Sequence, residues 1–115
     1  MFQQAHSISF DLPGWLETYS QTYVADTDLK SRMDFVISAS RHNVREGTGG
    51  PFAAAIFAIE TGELVSLGVN LVMTQGMSFL HAEIVALALA QRKLGCYDLG
   101  EVSAARYGER LPAPL

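Results

Sequence analysis

Apolar residues recur at helical spacing in two stretches of the chain. Between residues 29 and 44 they return every three or four positions, which predicts an amphipathic helix. Thr27 is suited to cap this helix, and Asp28 in its first turn suits the helix dipole. Three glycines between residues 47 and 50 end it. Residues 81–94 predict a second helix, and because it is apolar nearly all round through Leu89 it is expected to be buried.

Two shorter apolar runs lie between these helices. Residues 52–59 form an unbroken apolar run, which is typical of a strand buried on both faces. Residues 64–73 form the second run, and the Thr-Gly turn between the two predicts that they pair as a hairpin. Gly68 and Asn70 interrupt the second run, which indicates a bulge or a functional strand end. The predicted order is therefore helix, strand, strand, helix.

The two ends of the chain carry weaker patterns. Residues 1–25 have little periodicity, and we interpret them as an ordered N-terminal arm that covers apolar surface or takes part in dimer contacts. The remaining residues, 26–115, are then one domain, with a possible third short strand at 101–107. Four side chains of the arm are suited to docking: Trp15, Leu16, Tyr19 and Tyr23.

Composition excludes several classes of protein. With 49% hydrophobic and 17% charged residues, a chain of 115 residues can form one core and is not a disordered segment. The net charge of −4 and the lack of any basic run argue against nucleic acid as a partner. No apolar run is long enough for a membrane span or has the form of a signal peptide. We therefore expect a soluble cytoplasmic protein. Cys96 is the only cysteine, so no internal disulfide can form, which fits a reducing compartment.

The candidate chemistry lies in three segments: Gly-Gly-Pro-Phe at 49–52, Asn70, and His81-Ala82-Glu83. A His at a helix start can ligate a metal, and a Glu two residues later can hydrogen-bond a metal-bound water. The N–H groups of the first helical turn can hold a polar substrate atom, and an Asn offers a nucleobase both a donor and an acceptor. His-x-Glu alone is an ordinary surface choice, so the order of the three segments is what favours a function.

That order resembles the cytidine/deoxycytidylate-deaminase-like superfamily. GGPFAAAIF, LGVN, LHAEIVALALAQRKL and YDL are most similar to its guanine-deaminase branch, within a resemblance that extends over about residues 26–100. The resemblance implies an α/β three-layer sandwich, in which helices cover both faces of a mixed five-stranded sheet. The predicted α-β-β-α order supplies the N-terminal part of that fold.

The resemblance also implies roles for individual residues. His81 would be one of three zinc ligands, and Glu83 would shuttle protons in a zinc-assisted hydrolysis. The Ala82 N–H and the Asn70 side chain would contact the base, with Phe52 packing against it. The implied substrate is a small nucleobase, a guanine-type purine before others.

The chain departs from the family at the metal site. The family's other two ligands are cysteines in a Pro-Cys-x-x-Cys motif, which this sequence lacks. Cys96 follows His81 by about 15 residues, roughly 22 Å along a straight helix, and is expected to be a small buried residue. His42 is expected to be solvated, and His6 has no companion at ligand spacing. Since catalytic zinc ordinarily takes three protein ligands, we expect the chain alone to lack deaminase activity.

Three interpretations stay open at this stage. In the first, the chain is a purine-base deaminase that is truncated, or whose site is completed by a homo-oligomer or a complementing chain. In the second, it is a non-catalytic interaction or dimerisation module. In the third, it is a small α/β protein in which His-Ala-Glu is coincidental. Within the first, a relative of tRNA adenosine deaminases is the alternative, against which the acidic balance counts. Exposed strand edges favour association with another chain.

Overall fold

The computed structural model describes residues 1–100, and the predicted α-β-β-α order is confirmed. Two short helices are additional to it. The possible third strand at 101–107 lies outside the described residues. Within residues 1–100, no helix has both the length and the apolar character needed to cross a membrane. The elements are α1 (Leu16–Ser20), α2 (Leu29–Arg45), β1 (Ala53–Phe57), β2 (Leu64–Val69), α3 (Val72–Gln75) and α4 (Ala82–Leu94).

The start of α2 is set by Asp28, so the prediction of Thr27 as the cap is wrong. Asp28 has an extended backbone, and its carboxylate accepts the Ser31 N–H at 3.3 Å. A carboxylate there satisfies one of the N–H groups that open a helix. The Thr27 carbonyl instead accepts a guanidinium N–H of Arg32 at 2.8 Å. The helix ends at Arg45, and Gly47, with a φ of 68°, follows its C-cap, in keeping with the glycines expected to end it.

The hairpin is antiparallel, with Ala53 opposite Val69 and Ile56 opposite Ser66. The expectation of a strand buried on both faces is wrong for β1, whose five residues are all half-buried. Within residues 1–100 the sheet has two strands, so one edge of β1 has no neighbour there. β2 is more deeply buried because the helices cover it from both sides.

β2 is shorter than the predicted strand at 64–73. It ends at Val69, because the Asn70 side-chain oxygen accepts the Val72 N–H at 3.2 Å and starts the turn of helix α3. Gly76, with a φ of 68°, closes that turn. The chain then reverses, and the Leu71 N–H donates to the Leu80 carbonyl at 3.0 Å.

The two long helices cover opposite faces of the hairpin. On one face the Ser66 hydroxyl donates to the Ala86 carbonyl of α4 at 2.8 Å, and a Cβ on Gly68 would overlap the α4 backbone. On the other face Leu67 and Val69 pack into a core with Leu16 of α1 and Ala39 of α2. This alternation follows from the pleat of β2, and it gives the layered arrangement implied by the resemblance.

Only one side of α4 is buried within the described part of the chain, so the expectation of burial nearly all round is wrong. Val85 and Ala90 are buried against the hairpin, whereas Ile84 and Leu87 are each 40% exposed. The hairpin can cover a single stripe of a helix, and no other element within residues 1–100 lies over the rest.

The arm docks on the domain through the side chains that the sequence suggested. Leu16 is buried, and the Tyr19 hydroxyl donates to the Phe35 carbonyl of α2 at 2.6 Å. The Tyr23 hydroxyl donates to the Gly62 carbonyl in the hairpin turn at 2.9 Å. The single helical turn α1 inside the arm was not predicted, since five residues are too few to show a period.

Candidate functional site

The structure brings the three candidate segments together at one end of the hairpin, where β1 begins and β2 ends. The Asn70 N–H donates to the Phe52 carbonyl at 3.1 Å and so joins the first two segments. The bond from the Leu71 N–H to the Leu80 carbonyl then ties the residue after Asn70 to the residue before His81. We call this end of the hairpin the site end.

Helix α4 opens at the site end with His81 as its N-cap. His81 has an extended backbone (φ −69°, ψ 155°), and its side chain makes no capping hydrogen bond. Its carbonyl accepts the Val85 N–H at 3.0 Å, the first bond of the helix. The N–H groups of Ala82, Glu83 and Ile84 precede that bond and have no partner within the helix. The start of α4 therefore has backbone donors without intrahelical partners at the positive end of the helix dipole, and of these three residues Ala82 is buried (2% exposed) whereas Glu83 and Ile84 are exposed.

Three side chains at the site end are exposed: Phe52, His81 and Glu83. Phe52 is 61% exposed, so its ring is available for stacking. Glu83 lies in the first turn of α4, where a carboxylate interacts favourably with the helix dipole. The site end thus combines an apolar ring, an imidazole and a carboxylate that are all accessible to a ligand.

Asn70 is tied down through its backbone, while part of its side chain stays available. Its carbonyl accepts an N–H of the Asn43 amide at 3.0 Å. The side-chain oxygen accepts the Val72 N–H and retains a second lone pair. The side-chain nitrogen makes no hydrogen bond within residues 1–100. Asn70 therefore offers a ligand two donors and one acceptor site from a fixed position.

Asn43 is a residue of the site that sequence reasoning missed. It is fully buried in the last turn of α2, and its amide nitrogen donates to the carbonyls of Gly50 at 2.9 Å and Asn70 at 3.0 Å. An Asn near a helix end is usually a surface residue, so its type gave no signal. Its spacing of four from Ala39, on the same buried face, was the available clue.

The loop of residues 47–50, which we call the glycine loop, packs directly on Asn70. A Cβ on Gly49 would overlap both the Asn70 carbonyl and the Asn43 amide. Glycine is required at this position by the close approach of two backbones, and not by its dihedral angles. The glycine loop therefore sets how Phe52, which follows it, faces Asn70.

The residues described do not fit a zinc ion. Within residues 1–100 no three His, Cys, Asp or Glu side chains are grouped so that they could hold a metal. Cys96 is buried beyond the far end of α4, as expected, and its thiol donates to the Asp98 carbonyl at 3.3 Å. Of the described residues, His81 alone brings an imidazole to the site end, and three protein ligands are the ordinary requirement.

His42 is half-buried, so the expectation of a solvated side chain is wrong. Its ring packs against Trp15 and Tyr19, with centroid distances of 4.6 and 5.4 Å. The arm, whose docking could not be read from the sequence of α2, covers this part of the helix. His6 is exposed in the arm.

No protein-family model matches the chain. A stretch of 65 residues is 34% identical to the guanine deaminase of Bacillus subtilis (strain 168), covering 56% of this chain and 40% of that protein. The structure is similar to a guanine deaminase from Nitrosomonas europaea, with a TM-score of 0.75 and 35% identity over 85% of this chain and 53% of that one. It is also similar to a mutant of the protein NE0047 in complex with 8-azaguanine, with a TM-score of 0.77 and 35% identity over 86% and 54%.

The order of elements and the site end define the class of this chain: it has the N-terminal part of the cytidine-deaminase-like α/β fold. The chain spans about half the length of the relatives it matches. Within the class, its similarity is to the guanine-deaminase branch, which confirms the resemblance carried by residues 49–94.

Proposed function

We propose that this chain takes part in the hydrolytic deamination of a nucleobase, and that the base is a guanine-type purine. The observation that carries the proposal is the meeting of Phe52, Asn70 and the open start of α4 at the site end. The similarity to a structure that holds 8-azaguanine, a guanine analogue, supports the choice of base. An exposed aromatic ring beside convergent polar groups is what a flat, polar-edged base requires.

In this proposal the base lies on Phe52, and its edge is held by polar groups of two segments. The Asn70 side-chain nitrogen donates to an acceptor on the ring, and its oxygen accepts a ring N–H. The Ala82 N–H, at the positive end of α4, donates to a carbonyl or ring nitrogen. These groups are held by the backbone, so little ordering is needed when the base binds.

Glu83 is proposed to move protons. A water oxygen bonds to the ring carbon that carries the amino group, and Glu83 takes a proton from that water. The carboxyl passes this proton to the ring nitrogen. It then takes the remaining proton of the added hydroxyl and passes it to the amino group, so that the C–N bond breaks, ammonia leaves and a ring carbonyl forms. The exposure of Glu83 in the first turn of α4 supports this role, because a water and a base can both reach it.

Zinc is assigned no step in this proposal. The resemblance implies zinc, but the described residues supply His81 as a single ligand at the site end. We therefore propose that the chain by itself does not deaminate guanine, and that a second copy or a complementing chain supplies what the site needs. The purified chain should retain much less than one equivalent of zinc after dialysis. Chelator-resistant stoichiometric zinc would contradict this part of the proposal.

Base binding is tested separately from chemistry. Titration of the chain with 8-azaguanine, followed by 1H–15N NMR, should shift the Asn70 side-chain amide and the Ala82 N–H. Asn70→Ala should weaken binding about tenfold or more, because it removes hydrogen bonds to the ligand. Gln91→Ala, which removes a side-chain amide from the distant part of α4, is the matched control and should leave the affinity unchanged.

Chemistry is tested by complementation. The chain is mixed with a polypeptide that carries the family's remaining strands and its Pro-Cys-x-x-Cys helix, and ammonia release from guanine is measured. Activity should appear with the unaltered chain and with Glu60→Gln, an exposed carboxylate in the hairpin turn. It should be absent with Glu83→Gln. A full rate for Glu83→Gln would remove Glu83 from the proposed role.

A second function is favoured by one observation, the exposed apolar side of α4 that carries Ile84 and Leu87. A non-catalytic interaction or dimerisation module would use such a surface. Light scattering across a concentration series, with Leu87→Lys as the variant and Met73→Lys as the exposed control, measures association through it. Association that Leu87→Lys abolishes, in a chain that does not bind 8-azaguanine, would favour the module over the deaminase.

A further inference from the structure

A line of side-chain hydrogen bonds connects the arm to the site end. The Trp15 indole N–H donates to the Thr48 hydroxyl at 2.9 Å. The Thr48 hydroxyl lies 2.6 Å from the Asn43 side-chain oxygen. The Asn43 amide nitrogen then donates to the carbonyls of Gly50 and Asn70. Three side chains therefore link the arm to the two backbone segments that face each other at the site end.

Only one direction of donation satisfies this line. An indole nitrogen can donate but not accept, so the Thr48 oxygen must accept from Trp15. The single Thr48 proton is then directed at the Asn43 oxygen, the nearer of its two possible acceptors. That bond leaves the Asn43 nitrogen facing Gly50 and Asn70, where its two protons match two carbonyls. The Gly50 and Asn70 carbonyls require this orientation of the buried amide, and the indole supports it by directing the Thr48 proton towards the Asn43 oxygen.

The burial of Asn43 makes this orientation matter. A fully buried amide that lost these partners would leave polar groups without water, which is costly, so the satisfied arrangement is strongly preferred. The Thr48 carbonyl also accepts the Thr74 hydroxyl at 3.0 Å, which ties α3 to the glycine loop. Movement of the glycine loop would therefore shift Asn70 both through the Asn43 amide and through α3, which follows Asn70.

We propose that Trp15, Thr48 and Asn43 are positioning residues, through which the docked arm sets the distance between the glycine loop and Asn70. The arm is then part of the site, and not only a cover for apolar surface. The effect on base affinity rests on the proposed function. The effect on the geometry of the site end does not, and it can be measured without a ligand.

The test uses the full chain and variants that change one hydrogen bond each. Thr48→Val keeps the shape but removes the hydroxyl, Thr48→Ser keeps the hydroxyl, and Trp15→Phe keeps an aromatic ring but removes the donor. Thr18→Val, at an exposed position of α1, is the matched control. Trp15 is the only tryptophan, so its indole N–H gives one NMR resonance for the docked arm.

Thr48→Val should shift three resonances together: the Trp15 indole N–H, the Gly50 N–H and the Asn70 side-chain amide. Trp15→Phe should shift the Gly50 N–H and the Asn70 side-chain amide. Both variants should weaken 8-azaguanine binding about tenfold. Thr48→Ser should stay within about twofold of the unaltered chain, because it keeps the hydroxyl that the line requires. A role in stability alone would lower the melting temperature without shifting Asn70 in the folded state.

Two results would overturn the proposal: unchanged Gly50 and Asn70 resonances in folded Trp15→Phe, or equal effects of Thr48→Ser and Thr48→Val. If Thr48→Val does not fold, the Trp15→Phe spectrum decides. If the unaltered chain does not bind 8-azaguanine, the proposed function fails in this chain, while the resonances still decide whether the arm positions the site end.

Discussion

The arm anchors the hairpin at both of its ends, but in two different ways. At the turn end, residues 58–63, the Tyr23 hydroxyl donates directly to the Gly62 carbonyl, and the Tyr23 ring packs against Phe57 at 5.4 Å. At the site end the contact from Trp15 passes through Thr48 to reach Asn43. The first is a direct clamp on a turn, and the second acts through side chains on two facing segments.

The two ends of the hairpin also differ in how many of their hydrogen-bonding groups are paired. The turn is closed by its own backbone, with the Ala58 N–H on the Glu63 carbonyl and the Gly62 N–H on the Ala58 carbonyl, both at 2.9 Å. The site end leaves backbone donors at the start of α4 and an exposed Phe52. The turn end pairs its polar groups with one another, which contributes stability. The site end holds polar groups in fixed positions without pairing all of them, so that they can bind a ligand.

The largest loss of stability is expected from a substitution in the glycine loop, compared with the same substitution at an unconfined glycine. Gly49→Ala places a Cβ on the Asn70 carbonyl and the Asn43 amide, so the site end must shift. We expect it to lower the free energy of unfolding by about 3–4 kcal/mol and to abolish 8-azaguanine binding. Gly14→Ala is the control for urea unfolding, because no atom of residues 1–100 other than those of its chain neighbours lies within 4 Å of the added Cβ. Similar midpoints for the two variants would contradict the close approach.

Asn43→Ala is expected to have the next largest effect. It leaves the Gly50 and Asn70 carbonyls and the Thr48 hydroxyl without their buried partner, which should cost about 2 kcal/mol of stability. The folded fraction should bind 8-azaguanine more weakly than the unaltered chain at the same temperature. Calorimetric titration well below the melting temperature checks this. Unaltered affinity in the folded variant would restrict Asn43 to a structural role.

The sequence predicted the elements better than their limits. Helical spacing in α2 and α4 and the apolar run of β1 were sufficient to place these elements, but the burial expected for β1 and α4 was wrong. The strand expected at 64–73 ended early because the Asn70 side chain binds the Val72 N–H and starts a turn, a local competition that hydropathy does not record. The cap moved from Thr27 to Asp28 for a similar reason, since two neighbouring residues can both cap and geometry selects one.

Some residues of the candidate site could be predicted from the sequence, and others could not. Phe52, Asn70 and His81 could be grouped from order along the chain, and the structure brings their segments together. Asn43 and Trp15 could not be assigned to the site from the sequence. Their contacts are with residues that are distant in sequence, such as the bond between Trp15 and Thr48. Long-range hydrogen bonds between side chains leave no period or motif to detect.

Tyr23→Phe tests the turn end and should have a smaller effect. The variant keeps the ring against Phe35 and Phe57 and loses only the hydroxyl that donates to the Gly62 carbonyl, so about 1 kcal/mol of stability should be lost. The Asn70 amide resonance and the affinity for 8-azaguanine should stay as they are, because no line of side-chain hydrogen bonds within residues 1–100 connects this contact to the site end. A loss of affinity equal to that of Trp15→Phe would show that the two ends are not independent.

The smallest expected effect concerns Asp26, which adjoins the turn end. The N–H of Asp28 donates to its carboxylate at 2.8 Å, and this hydrogen bond lowers the pKa of Asp26 below its ordinary value of 3.8. A carboxyl whose pKa is lower in the folded state stabilises the fold above the unfolded pKa, and that contribution is lost as the pH falls through the folded pKa. Asp26→Asn should therefore lower the stability slightly at pH 7, where the carboxylate contributes, and this difference from the unaltered chain should disappear as the pH falls below about 4. The difference at pH 7 should be small, because solvent screens a carboxylate near the surface. The control is Asp11→Asn, which replaces an exposed carboxylate of the arm that accepts no backbone N–H within residues 1–100. Acid unfolding curves that are identical for the unaltered chain and Asp26→Asn would show that the bond to the Asp28 N–H does not distinguish the folded state.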